Sequence, residues 1–179
     1  IDNYRAFAAL KEDGSVITWG NSDYGGDSSA VASDLSSGVS SIVSNGMAFA
    51  ALKTDGSVVT WGSSDDLFGE TGADSSSVDL SSGVSSIVGN GYAFAALKAD
   101  GSVVTWGSST SGGDSSSVNL SGGVSSIVSN GSAFAAIKED GSVVTWGHDN
   151  YGADSSAVQS DLKTLHTYTT VSYTHLTLP

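Results

Sequence analysis

Carboxylates and amides recur in glycine-rich stretches that follow the tryptophans. Oxygen ligands in such stretches are what a hard cation such as Ca²⁺ binds. Their spacing does not match an EF-hand, and Asp and Ser in turns commonly hydrogen-bond their own backbone. We therefore favour the turn-forming interpretation, with no cofactor, and keep calcium as the alternative. The candidate calcium ligands are Asp23, Asp27, Asp65, Asp66, Glu70 and Asp74.

Groups that could support catalysis are sparse. The chain has no cysteine, so it has neither a thiol nucleophile nor a thiolate metal site. His148 and His166 stand apart from any motif, and the sequence has no Gly-x-Ser-x-Gly elbow, phosphate-binding loop or His-Glu-x-x-His. Serine is abundant, but without a histidine partner it is not an activated nucleophile. The sequence therefore predicts that the protein is not an enzyme.

Aromatic residues in the same stretches are better candidates for binding. Tyr24 and Tyr151 each lie five residues after a tryptophan, and the longest stretch carries Leu67 and Phe68 among acidic residues. If these loops share one rim, aromatics beside carboxylates form a protein-binding surface. We hypothesise that these four residues bind a protein partner, and the carboxylates favour a basic one. The alternative is that they only cover the ends of the strands.

The charge balance excludes several classes of partner. Six Lys and Arg stand against nineteen Asp and Glu, which gives a net charge of −13. Such a surface repels nucleic acid and anionic membranes, so we expect neither as a partner. The sequence has no apolar run long enough to cross a bilayer. Acidity of this degree serves solubility, and we expect an extracellular or cell-surface location.

The elements that hold these loops are four copies of one motif. Close variants of the stretch AFAALKADGSVVTWG begin at Ala6, Ala48, Ala93 and Ala133, and successive tryptophans are 42, 45 and 40 residues apart. Periods of this length indicate propeller blades or solenoid units. All changes in length fall in the Gly/Ser/Asp-rich stretches, as expected for surface loops between packed strands.

Each motif predicts a β-hairpin. Asp-Gly between apolar runs is typical of a two-residue type I′ turn, which would pair Leu97 with Val104 and Ala95 with Trp106. Both faces of this hairpin are apolar, so it needs a neighbour on each side. The residues to which we assign a structural role are Trp19, Trp61, Trp106, Trp146, Phe7, Phe49, Phe94, Phe134, Gly14, Gly56, Gly101 and Gly141.

The remaining signals complete a blade. A strand precedes each hairpin, as at 83–88, and a weaker fourth strand is predicted around Ala30-Val31, Ser77-Val78, Ser117-Val118 and Ala157-Val158. Asn45, Asn90 and Asn130, each followed by Gly, supply the turn between the first two strands. No stretch has a helical apolar period. The predicted fold is all-β, a partial β-propeller with blades of three to four antiparallel strands and tryptophans filling the gaps between blades.

The motif also resembles the regulator of chromosome condensation repeat family, most closely its short-repeat bacterial branch that includes the propeller-type β-lactamase inhibitory protein. The resemblance covers about residues 1 to 162, although the family's His before the hairpin strand is replaced by Ala6, Ala48, Ala93 and Ala133. It implies a seven-bladed propeller used mainly to bind proteins. The matching residues of the third copy are Gly83, Val84, Ile87, Ala96, Leu97, Lys98, Asp100, Gly101, Val103, Trp106, Gly107 and Gly112.

Four repeats are fewer than seven, so we expect an open arc of about four blades, from which further repeats of the same chain are missing. Closure into a four-bladed ring is the less favoured alternative. The expected repeat boundaries are about 1–35, 36–80, 81–120 and 121–162, with 163–170 unassigned. Residues 171–179, VSYTHLTLP, break the repeat and resemble a translated transposase sequencing adaptor, so we expect them to be an assembly artefact.

The sequence therefore favours a non-catalytic protein-interaction scaffold, a fragment of a longer bacterial propeller repeat protein. The alternative from another class is a structural adhesion repeat of a long cell-surface protein, stabilised by calcium. An enzyme is the third and least favoured reading.

Overall fold

A computed structural model describes residues 1–63 and 72–164 of the chain. In this part the strands form four antiparallel sheets, which we call blades 1 to 4. Blade 1 is β1 (Ala6–Leu10) and β2 (Val16–Gly20); blade 2 is β3 (Val39–Ser44), β4 (Ala48–Lys53) and β5 (Val58–Gly62). Blade 3 is β6 (Val84–Gly89), β7 (Ala93–Lys98) and β8 (Val103–Gly107); blade 4 is β9 (Val124–Ser129), β10 (Ala133–Lys138) and β11 (Val143–Gly147).

The predicted all-β partial propeller is confirmed, with three strands in blades 2 to 4. In blade 1, Ile1 and Asp2 pair with Ala8 and Phe7 along the edge where the other blades carry their first strand. The predicted fourth strand is wrong: Ser29–Val31 and Ser156–Val158 are short 3₁₀ turns, and residues 75–78 and 115–118 also turn. A six-residue helix, α1 (Gln159–Thr164), follows blade 4 where no helix was predicted.

The hairpin turn has three residues, not two. The Lys98 N–H donates to the Ser102 carbonyl at 2.8 Å, and the Gly101 N–H donates back to the Lys98 carbonyl at 3.0 Å. Gly101 has φ +78°, whereas no non-glycine residue of the described chain has positive φ, so the type I′ prediction is wrong. Asp100 accepts from the Ser102 N–H and hydroxyl at 2.9 and 2.6 Å. These bonds favour a type I turn closed by a left-handed glycine.

This extra turn residue shifts the predicted register by one position. Phe94 pairs with Trp106, which was predicted to face Ala95, and Leu97 pairs with Val103. The two aromatic rings therefore share a face and stack, with centroids 5.2 Å apart and planes inclined by 23°. The same stacked pair occurs in all four blades, at 5.2 to 5.3 Å.

The shifted register gives every blade two different faces. In blade 3 the Phe/Trp face consists of Phe94, Ala96, Val104 and Trp106, and the Ala face consists of Ala93, Ala95, Leu97 and Val103. The Ala face of each blade packs against the Phe/Trp face of the next, which produces three hydrophobic clusters along the chain. The core therefore lies between the sheets, because a single three-stranded sheet cannot bury both of its apolar faces.

In blades 2 to 4 a hydrogen bond fixes the tryptophan against the preceding blade. Trp106 is 2% exposed, and its indole N–H donates to the Gly72 carbonyl at 3.0 Å. Gly72 has φ +92°, and a Cβ there would lie 2.9 Å from the Phe94 ring, so only glycine lets the ring approach this closely. The equivalent bonds run from Trp61 to Gly25 at 3.1 Å and from Trp146 to Gly112 at 3.0 Å.

The first tryptophan has no preceding blade and is correspondingly exposed. Trp19 is 50% exposed and Phe7 is 47% exposed, whereas their counterparts in blades 2 to 4 are at most 5% exposed. Within residues 1–63 and 72–164, no helix has the length and apolar character needed to cross a bilayer.

The position of a tryptophan in the arc should decide its contribution to stability. We expect Trp106→Ala to lower the free energy of unfolding by about 3–5 kcal/mol, because it empties a packed site between two blades. Trp19→Ala should cost about 1 kcal/mol or less, since half of that side chain already contacts solvent. Urea unfolding of the two variants measures the difference, and equal losses would contradict the packing described here.

Candidate functional site

One rim of the arc gathers the described parts of the loops that follow the tryptophans. Strands β2, β5, β8 and β11 end in Trp-Gly at the same end of their blades, and the first strand of each of blades 2 to 4 also ends there, at its Asn-Gly turn. We call this surface the Trp-loop rim. It comprises the described loop residues 21–26, 63, 72–73, 108–113 and 148–153 together with Arg5, Met47, Tyr92 and Ser132.

An asparagine in the turn between the first two strands of each blade organises this rim, and Asn45 and Asn90 are buried. The Asn90 side-chain oxygen accepts from the N–H groups of Tyr92 and Ala93 at 2.9 and 2.8 Å. Its amide group donates to the Ser111 carbonyl at 2.7 Å, which ties the turn to the loop of the same blade. The corresponding amide bonds run from Asn3 to Tyr24 at 2.7 Å and from Asn130 to Tyr151 at 2.6 Å.

The same turns are joined from blade to blade. The Tyr4 N–H donates to the Gly46 carbonyl at 3.2 Å, Gly46 to Gly91 at 3.0 Å, and Gly91 to Gly131 at 3.1 Å. A Cβ on Gly91 would lie 2.7 Å from the Gly131 oxygen, so this spacing requires glycine. We call this row of bonds the glycine ladder. It holds the loops of neighbouring blades at a fixed separation, which makes the rim one surface.

Two of the predicted binding residues lie on this rim, at opposite ends of the arc. Tyr24 is half-buried against the cluster between blades 1 and 2, with the Arg5 guanidinium 5.0 Å from its ring centroid. Tyr151 is 55% exposed and meets the His148 ring edge-on at 5.1 Å. The structure therefore does not bring these two residues together. Leu67 and Phe68 lie outside the described residues.

A groove between blades 2 and 3 was missed by the analysis of the sequence. It has a volume of about 410 Å³ and is lined by Met47, Tyr92, Ser108, Thr110 and Ser111. Two apolar or aromatic side chains thus face a strip of hydroxyl groups. The signal was present in the sequence, because the position before each Ala-Phe pair differs in every copy while its neighbours repeat. That position holds Arg5, Met47, Tyr92 and Ser132.

The calcium candidates that the structure describes make turns. Asp27 and Asp74 accept the N–H groups of Ser29 and Ser76 at 2.9 Å, and these bonds lower the pKa of both carboxyls. The Asp23 N–H donates to Asn21 at 2.9 Å. Among residues 1–63 and 72–164 no three His, Asp or Glu side chains form a metal-binding cluster. Asp65, Asp66 and Glu70 lie outside the described residues.

The comparison with known proteins identifies the fold. Neither a family model nor a curated protein matches the sequence. The structure matches yeast RCC1 (Prp20), solved with Kap60 bound, with a TM-score of 0.56 at 15% identity over 83% of this chain and 43% of that chain. The fold is that of an RCC1-type propeller, present in part.

Two further solved structures agree with this assignment. Human WBSCR16 matches with a TM-score of 0.54 at 21% identity, over 81% of this chain and 45% of that chain. The CRINKLY WD40 ectodomain of the Arabidopsis thaliana receptor kinase ACR4 matches with a TM-score of 0.54 at 20% identity, over 80% of this chain and 48% of that chain. The matched part of this chain therefore spans less than half the length of each of these three chains.

Acid should destabilise the RCC1-type arc through its turn carboxylates. The Ser15 hydroxyl, the Ser15 N–H and Lys11 lower the pKa of Asp13 to about 2, and serine hydroxyls likewise lower the pKa of Asp55 and Asp100. These folded-state pKa values lie below the unfolded value of about 3.9. The stabilisation is therefore complete above pH 4 to 5 and is lost as the pH falls through the folded pKa towards about 2.

An asparagine variant isolates this effect. Asn119 already accepts the Ser121 N–H where blade 2 has Asp79 and Ser81, so an amide can replace the carboxylate. The triple variant D13N/D55N/D100N should lose part of the decline in melting temperature between about pH 5 and pH 2. A control variant, E12Q/E139Q, removes charge from two of the four hairpin tips and should keep the decline. Identical pH profiles for the triple variant and the wild type would contradict the assignment.

Proposed function

We propose that this part of a propeller repeat protein is a non-catalytic protein-interaction scaffold whose Trp-loop rim binds the partner. One observation carries the proposal. The four copies of the motif are nearly identical where blades pack, yet they differ in both residue type and loop length at this rim. A position packed between blades would keep one residue type, as the Ala-Phe pair beside it does, whereas a surface that recognises one partner can present Arg5, Met47, Tyr92 and Ser132 in turn.

The contacts of His148 support a non-catalytic role. Its Nδ1 accepts the Asn150 N–H at 3.3 Å, and its ring packs edge-on against Tyr151. The imidazole therefore caps a 3₁₀ turn through Nδ1, which gives this side chain a structural role.

The groove indicates the chemistry of the partner. Met47 and Tyr92 offer a surface for an apolar or aromatic side chain, and the hydroxyls of Thr110 and its neighbours offer hydrogen bonds. Asp23 and Asp149 lie exposed in the loops of blades 1 and 4, and the whole chain carries a net charge of −13. We infer that the partner presents an apolar residue flanked by Lys or Arg, because long-range attraction then assists docking.

Known proteins of the same fold support protein binding as a function for this chain. Yeast RCC1 (Prp20) was solved with Kap60 bound, and a second study of Prp20p describes its binding to Gsp1p and histones. Those partners are properties of that protein. What they contribute here is that a protein with an RCC1-type fold can bind other proteins.

We further propose an extracellular or cell-surface location. The excess of acidic residues supports it, since a strongly charged surface keeps a protein soluble in a salty medium. Fractionation of cells that express the native gene would test this proposal, and recovery of the protein with the cytoplasm would contradict it.

Peptide selection tests the proposed binding surface. A displayed library of random peptides, selected on the wild-type chain, should enrich sequences with an aromatic or aliphatic residue among Lys and Arg. Met47→Ala and Tyr92→Ala should each weaken the selected peptides by about tenfold or more, as expected for central contacts of an interface. Calorimetric titration of each variant measures the loss.

The opposite rim provides the control. Ala99 lies exposed at the hairpin tip of blade 3, at a position that holds Glu12, Thr54 and Glu139 in the other copies. Ala99→Arg should leave peptide affinity unchanged. Selected peptides that bind Tyr92→Ala as well as the wild type would show that the rim is not the binding surface.

A further inference from the structure

Each of blades 2 to 4 places an asparagine directly before a glycine in the turn between its first two strands. The three pairs are Asn45-Gly46, Asn90-Gly91 and Asn130-Gly131. In this dipeptide an asparagine side chain loses its amide group most readily, because glycine has no Cβ to hinder the approach of its backbone nitrogen. The same turns that organise the Trp-loop rim are therefore the positions most open to spontaneous covalent change.

The packing of blade 3 requires both residues of its pair. A Cβ on Gly91 would lie 2.7 Å from the Gly131 oxygen, so the glycine ladder needs glycine at this position. The Asn90 side chain uses both ends of its carboxamide. Its oxygen accepts two backbone N–H groups, and its amide donates to the Ser111 carbonyl at 2.7 Å. Aspartate offers acceptors only, so it cannot replace this donor.

The loss of the amide needs only the pair itself and water. The backbone nitrogen of Gly91 forms a bond to the side-chain carbonyl carbon of Asn90, and the bond from that carbon to the amide nitrogen breaks. The amide nitrogen leaves as ammonia and takes the proton that Gly91 gives up. Water then opens the resulting succinimide ring to aspartate or isoaspartate.

The glycine ladder opposes the first of these steps. The Gly91 N–H donates to the Gly131 carbonyl at 3.1 Å, and the Gly46 N–H donates to the Gly91 carbonyl at 3.0 Å. The attacking nitrogen must release its proton and approach the side chain, and this bond resists both changes. The N–H groups on the Asn90 oxygen do not protect it, because they stabilise the charge that attack places on that oxygen. Protection therefore depends on the contact with the next blade.

We propose that Asn45 and Asn90 are deamidation sites that the glycine ladder protects, and that each reacts when the blade following its own separates. The bond from Gly46 spans blades 2 and 3, and the bond from Gly91 spans blades 3 and 4. The turn bonds of Asn45 to the N–H groups of Met47 and Ala48 lie within blade 2, so they do not depend on that contact. Each site therefore records the opening of one blade interface.

Conversion at Asn90 has a consequence for the groove between blades 2 and 3. Asn90 is buried, and an acid in its place sets a carboxylate oxygen against the Ser111 carbonyl where a donor stood. Ser111 lines the groove together with Tyr92. Because hydrolysis does not restore the amide, a chain whose blades have separated loses the bond between turn and loop permanently.

Site-resolved mass spectrometry of the full chain tests the protection. Trypsin cleaves after Lys53 and Lys98, so Asn45 and Asn90 fall in different peptides. In mildly alkaline buffer both should convert to the acid about tenfold or more slowly than in concentrated urea, as expected for sites that react only after opening. A synthetic peptide of residues 84–98 controls for the effect of urea on the reaction itself. Equal rates in the folded and unfolded chain would overturn the proposal.

Two tryptophan variants test the link to single interfaces. Trp106→Phe removes the indole bond between blades 2 and 3, and Trp146→Phe removes the one between blades 3 and 4. The first should speed conversion mainly at Asn45 and the second mainly at Asn90, by about threefold or more, as expected for the loss of one hydrogen bond. Equal acceleration of both sites by each variant would mean that they react through unfolding of the whole arc, and it would contradict a role of the ladder.

The product can be made directly by substitution. Asn90→Asp should lower the melting temperature by about 3 °C or more, because it replaces a buried donor by a carboxylate. Asn119→Asp is the matched control, since Asn119 is exposed and blade 2 already has Asp79 at that position. It should leave the melting temperature unchanged. An Asn90→Asp chain as stable as the control would show that conversion does not disturb the rim.

Discussion

The stacking of a Phe/Trp pair onto the Ala face of the preceding blade is the interaction on which the rest of this structure depends. Each sheet is too small to hold a core of its own, so nearly all apolar burial occurs between sheets. The indole hydrogen bond adds direction to this packing, because it fixes which blade carbonyl each tryptophan reaches. The free energy of unfolding is therefore a sum of contributions from the interfaces between neighbouring blades, as in other repeat proteins. The blade at each end of the described arc has only one such interface.

Because packing between the blade faces stabilises the fold, the side chains of the Trp-loop rim can vary. The asparagine bonds and the glycine ladder hold the backbone of each turn without using the side chain of the residue that precedes the second strand. Met47 and Tyr92 can therefore differ from Arg5 and Ser132 without disturbing any blade contact. Fixed backbone and variable side chain are the combination that a recognition surface needs.

Sequence reasoning recovered the blades but not their register. The tryptophan period and the apolar runs locate the second and third strands of every blade, because buried strands tolerate neither insertion nor charge. Asp-Gly, however, is compatible with two turn types, and Ser102, two residues after Asp100, selects the longer one by bonding to the carboxylate. Omitting one turn residue therefore gave Trp106 the wrong cross-strand partner, because a register shift of one residue moves every side chain of a strand to the opposite face of the sheet.

Other features depend on neighbours that sequence spacing does not reveal. Val31 packs on the core from a 3₁₀ turn and not from a strand. Its apolar side chain therefore predicted burial correctly but not the backbone conformation. Trp19 and Trp106 are the same residue in the same motif, yet one is half exposed because it lies at an end of the arc. The groove beside Tyr92 is formed by side chains of two blades, and only their packing brings Met47 to it.

That last feature links recognition to stability. A ligand in the groove contacts blade 2 through Met47 and blade 3 through Tyr92, so it binds only while those blades are stacked. Any molecule that binds the stacked form and not the separated one must shift the equilibrium towards stacking. A partner bound in the groove therefore also stabilises the interface between blades 2 and 3. Because each blade interface contributes separately to stability, a partner bound between blades 2 and 3 should stabilise the middle of the open arc.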